Sequence, residues 1–450
     1  MSTSKTFYRR CRLQSSGVVW ILIGCLAHAL VLRADDSGST NVIRKAEAIR
    51  ELTVNQAGKH YPVQLQGVIT FFDTNLFMRF IQDDTAGIYF FPYSATNEPV
   101  LQAGQWVQLE GTTDPGEFAP VVHPSRITVL GAGTFPPATP VSYEQLASGE
   151  QDSQFVEIRG IVHAVAFDPQ TKYYSVEIET GGGRVTALVA QLPVAKMDRL
   201  VDSVVQVHGV CATRFTLRRQ VFDIRLLLPR PADLVIESPA PANPFAATPL
   251  RPISQLLQFA PHSPLGHRVK VAGTVIYAQD DTIYIENDTD GLYVQTRDVG
   301  SLVPGDQVEV LGFPAKGEYS PMLKDAIFRK TGSGSTVPVP QTITVADALK
   351  GTYDCRLVRI QARILDRARR SPDEFLVLQA DDSIFLAYRE RKTSGVDFAY
   401  LPNGATVAVT GVCRIEVGNQ WHVGADWRAK SFNLLVRWPS DIEVLSQPSP

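Results

Sequence analysis

Cysteine is scarce in this chain, with five in 450 residues at positions 11, 25, 211, 355 and 413. Residues so few and so scattered exclude a disulfide-stapled scaffold and a zinc knuckle. The eight histidines show no metal-ligand spacing. A G-x-S-x-G elbow, a phosphate-binding P-loop, and a serine or cysteine nucleophile with a spaced base are all missing. No catalytic residue is nominated, and neither a metal nor a cofactor is expected. Long helical patterns are absent as well, since no apolar period of 3.6 runs beyond about three turns. With 32 Gly and 30 Pro spread along the chain, the composition instead favours many short strands joined by turns. A chain of this length that is 44% hydrophobic and 20% charged exceeds what one core organises, so several all-β domains are expected.

Long hydrophobic runs are confined to the N-terminus. Lys5, Arg9, Arg10 and Arg12 precede GVVWILIGCL (residues 17–26), which is followed by Ala27-His28-Ala29. This is the layout of a secretory signal, residues 1–29, with cleavage expected after Ala29. Two other readings stay open: an uncleaved anchor over residues 17–32, and a lipobox, Leu22-Ile23-Gly24-Cys25, that would acylate Cys25. All three export the rest of the chain to the periplasm or the outer surface. Without residues 1–29 the chain keeps 39 basic residues against 46 acidic, a net charge near −7. Such a balance disfavours nucleic acid as a partner without excluding it.

One strand pattern occurs four times, as VQLQGVIT from Val63, VEIRGIVH from Val156, VKVAGTVI from Val269 and VRIQARIL from Val358. A second strand follows each, at offsets of 44, 49, 39 and 49 residues: VQLEG, VQVHG, VEVLG and VAVTG. Period-two alternation marks half-buried strands, and the shared closing glycine marks a sharp bend. A short helical segment precedes each unit, around Ala46–Leu52, Tyr143–Leu146, Ser254–Phe259 and Ala346–Leu349, and Thr344 with Asp347 has capping-box spacing. Five or so strands per unit fit a five-stranded Greek-key barrel, the OB-fold. Four tandem OB-like barrels are therefore expected, over residues 40–133, 134–237, 250–333 and 340–447.

The halves are related more closely than the units. Val156 to Val358 and Val205 to Val407 are both 202 residues apart, and the GVC ending at Cys211 recurs at Cys413. The chain thus reads as a two-barrel module present twice, with Cys211 and Cys413 at inward strand positions. A Cys355–Cys413 bond is left open.

The hairpin FIQDDTAGIYFF (residues 80–91) has a counterpart, YIENDTDGLYVQ (residues 284–295), only in the third unit. Its polar loop suits turn chemistry better than calcium, which takes six to eight oxygens. Alternation turns Ile81, Ile88, Ile285 and Leu292 inward and places Phe80 with Tyr89, and Tyr284 with Tyr293, as aromatic pairs on the outer face. Exposed aromatics there can stack on bases or sugars, or be covered by the neighbouring barrel. These four are the candidate ligand-binding residues. The clusters Arg214, Arg218, Arg219 and Arg225 with Phe215, and Arg363, Arg367, Arg369 and Arg370, are interleaved with acidic residues and read as solvated surface.

The hairpin FIQDDTAGIYFF, the strand VQLEG and the ending LLVRWPSDIEVLSQPSP resemble the extracytoplasmic region of a group of membrane-bound bacterial sensor histidine kinases built from tandem OB-like domains. The resemblance spans residues 40–450 and lies in fold signatures, so no active-site residue carries over. It implies a final strand, with its P-x-D turn, leading into a membrane helix and a kinase core. In this sequence no second span, phospho-acceptor helix or ATP-binding glycine box follows that turn. The expectation is a non-catalytic extracytoplasmic module that senses a small molecule or glycan or binds a protein, a membrane-bound histidine kinase among the partners. The alternative is a secreted OB-fold binder of single-stranded nucleic acid or oligosaccharide.

Overall fold

The computed structural model describes residues 42–92, 101–195, 197–258, 266–332, 338–370, 373–389, 398–418 and 429–447. The signal-like segment, Cys25 and Phe259 lie outside the described residues, as do the side chains of Arg369 and Arg370.

Alternation becomes four five-stranded barrels. The first uses Pro62–Asp73, Met78–Gln82, Gly87–Tyr89, Gln105–Asp114 and Val121–Ala132. The second uses Phe155–Asp168, Tyr173–Glu179, Arg184–Val189, Val204–Phe215 and Val221–Leu227. The third uses Val269–Gln279, Thr282–Glu286, Gly291–Thr296, Gln307–Lys316 and Pro321–Gly332. The fourth uses Leu357–Arg370, Asp373–Ala380, Ser383–Arg389, Thr406–Val417 and Ala429–Leu435. Strand 1 pairs antiparallel with strands 2 and 4 in every barrel. Closure is a parallel pairing of strands 3 and 5, at Ala187↔Leu226, Tyr293↔Met322 and Ala387↔Leu434, narrowed in the first barrel to a bridge between Phe90 and Val122. This is the OB order.

The same local devices recur. Strand 1 serves both halves of its barrel, and each copy slips register against strand 2 at one place, between Ile69/Phe71, Val162/Ala164, Val275/Tyr277 and Ile364/Asp366. Bulges of this kind let a strand coil tightly. The glycine closing strand 4 lies where a neighbouring strand crosses: a Cβ on Gly111 would be 2.2 Å from the His123 carbonyl oxygen, and one on Gly411 2.9 Å from that of Leu435. The helical segment ahead of each strand 1 plugs a barrel end, with Ile49, Leu146, Ile253 and Val345 in the respective cores. Thr344 and Asp347 form the expected capping box.

Inward positions fall as alternation assigns them. Ile81 and Ile88 fill the first core, Ile285 and Leu292 the third, Cys211 the second and Cys413 the fourth. Cys355 instead faces the contact between the third and fourth barrels. It is a free thiol, as is Cys413, so the structure has no bond between them; the backbone N–H of Cys355 donates to the Cys413 carbonyl at 2.7 Å. No helix of the described residues is long and apolar enough to cross a membrane.

The inter-barrel seams and a candidate ligand groove

The hairpins that open the question of function are clips between barrels. In the first, the Asp83 carboxylate accepts from the backbone N–H groups of Thr85 (2.7 Å) and Ala86 (2.9 Å), and Asn287 does the same for Thr289 and Asp290. This is side-chain turn chemistry that fixes a tight loop. The rigid hairpin then reaches across to the next barrel. Gly87 N–H donates to Gln154 Oε1 (2.9 Å), Gln154 Nε2 donates back to the Gly87 carbonyl (3.1 Å), and Phe155 N–H donates to Gln82 Oε1 (3.0 Å). In the second module Leu357 N–H donates to Glu286 (3.0 Å), and Arg356 donates to the carbonyls of Thr289 and Asp288. No cluster of three or more His, Cys, Asp or Glu side chains gathers as for a metal ion among the described residues.

Cross-strand pairing of Phe80 with Tyr89, and of Tyr284 with Tyr293, is as alternation places it, with ring centroids 5.5 and 5.2 Å apart. Their exposure is not. Phe80 is 3% exposed and Tyr284 2%, because the adjoining barrel covers them. Phe80 packs with Phe155, Val210 and Leu227, and Tyr284 with Leu357, Val412 and Leu435. Strand alternation assigns a residue to a face and is silent about what lies on it. Only Tyr89 and Tyr293, both half-buried, retain accessible edges.

In the first basic cluster, Arg214, Arg219 and Arg225 are engaged. Arg219 donates to the carbonyls of Pro115, Gly116 and Phe118, while Phe215 stacks on Phe118 at 5.5 Å. Arg214 and Arg225 share Asp223. The Arg219 and Phe215 contacts clip barrel 2 to barrel 1, while Arg214 and Arg225 are paired within barrel 2.

The two seams are built alike at their base. Asp152 Oδ1 accepts from Thr213 N–H (3.0 Å), and Asp354 Oδ1 from Ile415 N–H (2.9 Å). Phe118 lies against Gly149, and Tyr319 against Gly351. Burial raises the pKa of Asp152 and of the Tyr284 phenol.

At the mouth of the second seam a groove of about 260 Å³ opens between barrels 3 and 4. Tyr284, Tyr293, Tyr319 and Met322 form its apolar walls, and Lys316, Glu318 and Arg414 its charged rim. Arg414 donates to the Tyr388 hydroxyl at 2.6 Å and to Glu318 at 2.9 Å. Of these, alternation identified Tyr284 and Tyr293; it missed Arg414 and Glu318. A signal for them exists in the repeated tripeptides GEF (116–118) and GEY (317–319), and in GVC, followed by Ala212 in one module and Arg414 in the other.

The modules meet through a junction the sequence did not announce. His163 stacks on Phe313 at 3.7 Å, accepts at Nδ1 from Arg184 and donates from Nε2 to the Gly266 carbonyl, both at 3.1 Å. Arg184 also pairs with Asp325 at 3.2 Å, and His267 with Asp202 at 2.8 Å.

No family model matches the chain, and no curated protein does. Solved structures that match include an OBody bound to hen egg-white lysozyme, 14% identical with a TM-score of 0.19 over 24% of this chain and 98% of that one. A replication protein A heterotrimer bound to single-stranded DNA is 7% identical with a TM-score of 0.21, covering 68% of this chain and 96% of that one. A murine DNA-binding protein bound to double-stranded DNA is 11% identical with a TM-score of 0.23, over 40% and 98%. Scores this low carry no argument, and the fold stands on its strand pairing.

Proposed function

We propose that this chain is a non-catalytic, exported ligand-sensing or protein-interaction module, of the kind that serves as the input region of a membrane-bound sensor histidine kinase. One observation carries the reading: the strand 2–3 hairpin of barrels 1 and 3, on the face where OB barrels hold oligonucleotides, is taken up by the neighbouring barrel. The face that would track a polymer is closed, while a small groove beside Arg414 stays open. Pairing through buried seams makes each module a stiff unit, which suits a part that transmits occupancy through its geometry. The acidic charge of residues 30–450 and the engagement of Arg214, Arg219 and Arg225 weigh the same way.

The nucleic-acid or oligosaccharide reading keeps one support, on barrel 2. There Phe222 is 57% exposed under the Arg214 guanidinium, 4.8 Å from the ring, and Phe167 is 44% exposed beside Tyr174. Binding that weakened steeply with salt would favour it.

Cell fractionation with mass determination of the N-terminus, alongside incubation of the purified protein with labelled ATP, tests the main proposal. Recovery of the exported chain beginning after Ala29, with no phosphate incorporated, is the expected result. A chain retained in the cytoplasm, or one that phosphorylates itself, would overturn it.

A further inference from the structure

The internal duplication supplies a control for every residue in the second seam. Where the groove carries Tyr284, Lys316, Tyr319 and Arg414, the first module has Phe80, Pro115, Phe118 and Ala212. Both seams rest on the same bond from a strand N–H to an aspartate carboxylate and on the same aromatic-over-glycine contact. The fold therefore does not require these particular side chains at this place: module 1 completes its seam with Phe80, Phe118 and Ala212, and holds the same turn with Arg219, which donates to the carbonyls of Pro115, Gly116 and Phe118. Polar groups that one module has and the other lacks, gathered around a half-buried groove, point to a ligand.

We propose that this groove binds a small carboxylate with a flat apolar body, held by Arg414 in place of Glu318. The inference rests on the sensing reading and names its ligand class. Arg414 is fixed on one side by the Tyr388 hydroxyl, so its guanidinium is oriented before anything binds. Its other partner, Glu318, sits on the turn between strands Gln307–Lys316 and Pro321–Gly332, and its side chain is 64% exposed. Ion pairs this open contribute little, so an incoming carboxylate displaces Glu318 at small cost and gains a charge-assisted bond to Arg414. Lys316 adds a second positive charge to the rim. Asp354 also lines the groove as a carboxylate, its two oxygens accepting from the N–H groups of Ile415 and Ser320, so the ligand's own carboxylate has to lie against Arg414 and Lys316 rather than against Asp354. Tyr284, Tyr293 and Met322 offer the walls for a flat body, and about 260 Å³ limits it to roughly one ring.

Titration calorimetry on the full chain tests this with benzoate, phenylacetate and 4-hydroxyphenylacetate at millimolar concentration, and phenylacetamide as the neutral control. At least one carboxylate should bind, and the amide at least about tenfold more weakly, a gap of about 1.4 kcal/mol. Arg414→Ala, which installs the residue of module 1, should abolish that preference, and Glu318→Gln should tighten carboxylate binding by removing the competitor. If Arg414→Ala melts early, Glu318→Gln and Lys316→Gln, both at the rim, carry the test in opposite directions. Failure of all three acids to bind, equal binding of the amide, or unchanged binding by Arg414→Ala would overturn the proposal. Those failures leave the sensing reading standing if the chain is exported and captures a protein partner; retention in the cytoplasm would overturn that reading whatever the groove binds.

Discussion

Gly87 and Ser153 approach so closely that a Cβ on the glycine would stand 2.0 Å from the serine carbonyl oxygen, and Gly291 stands in the same relation to Cys355 at 2.2 Å. A hairpin glycine that reads as turn chemistry is thus also a contact point between barrels. Both hairpins meet the chain just ahead of the next strand 1, so duplication preserved the joint along with the barrels.

The covered aromatics should behave as core. Phe80→Ala and Tyr284→Ala are each expected to cost about 3–5 kcal/mol, as large-to-small changes at buried aromatic sites do. Tyr89→Ala and Tyr293→Ala, being half-buried, should cost less. Circular dichroism melts with denaturant titration would check the order; melts of Phe80→Ala and Tyr284→Ala that match the parent would mean the seams are open.

The P-x-D turn near the C-terminus is an ion pair out of water. Asp441 accepts from the Arg437 guanidinium and from the backbone N–H groups of Arg437 and Trp438, with the two side chains 8% and 5% exposed. Removing one partner of a buried pair costs about 3–5 kcal/mol, so Asp441→Ala should destabilise barrel 4 by that order. Its counterpart Asp233 pairs with Arg230, whose side chain is 48% exposed, and Asp233→Ala should cost less. Urea titrations of the two variants would show whether that ranking holds.

Acid should loosen the junction between modules. Burial first, then Arg184, lowers the pKa of His163 from 6.5 to about 4. The unfolded chain takes up this proton near 6.5 and the folded chain only near 4, so the His163 contribution is whole above pH 6.5 and is lost as pH falls from there to about 4. Melting temperatures between those limits should drop more for the parent than for His163→Gln. Parallel curves would show that the histidine does not report the junction.

Much of the fold was legible because it rests on local pattern. Val63, Val156, Val269 and Val358 begin alternating runs that can only be strands, and the closing glycines lie where strands cross. The seams were not legible, since alternation places Phe80 on the outer face without revealing that Phe155 and Leu227 lie over it. Arg219 is a sharper case: its partners, the carbonyls of Pro115, Gly116 and Phe118, lie about a hundred residues away and carry no side-chain signature. His163 on Phe313 belongs to the same class, a contact fixed only once two modules have docked.

The thiols should remain unlinked. Cys211, with a pKa pushed up to about 12 by burial, and Cys413 lie in barrel cores, and Cys355 lies in the seam. Peptide mass spectrometry after alkylation in denaturant should find Cys355 and Cys413 on separate, fully alkylated peptides; a linked pair would contradict the structure.

Hydrogen exchange on the full chain, comparing the parent with Gly87→Val and Gly291→Val, tests the hairpin clips most directly. Each valine would drive a side chain into the next barrel's backbone at one seam only. Gly87→Val should raise exchange at Phe155 and Val210–Ala212 while Leu357 and Val412 stay protected, and Gly291→Val should give the reverse. Protection unchanged at both seams in both variants would contradict the account, because the hairpins would then be turns and nothing more.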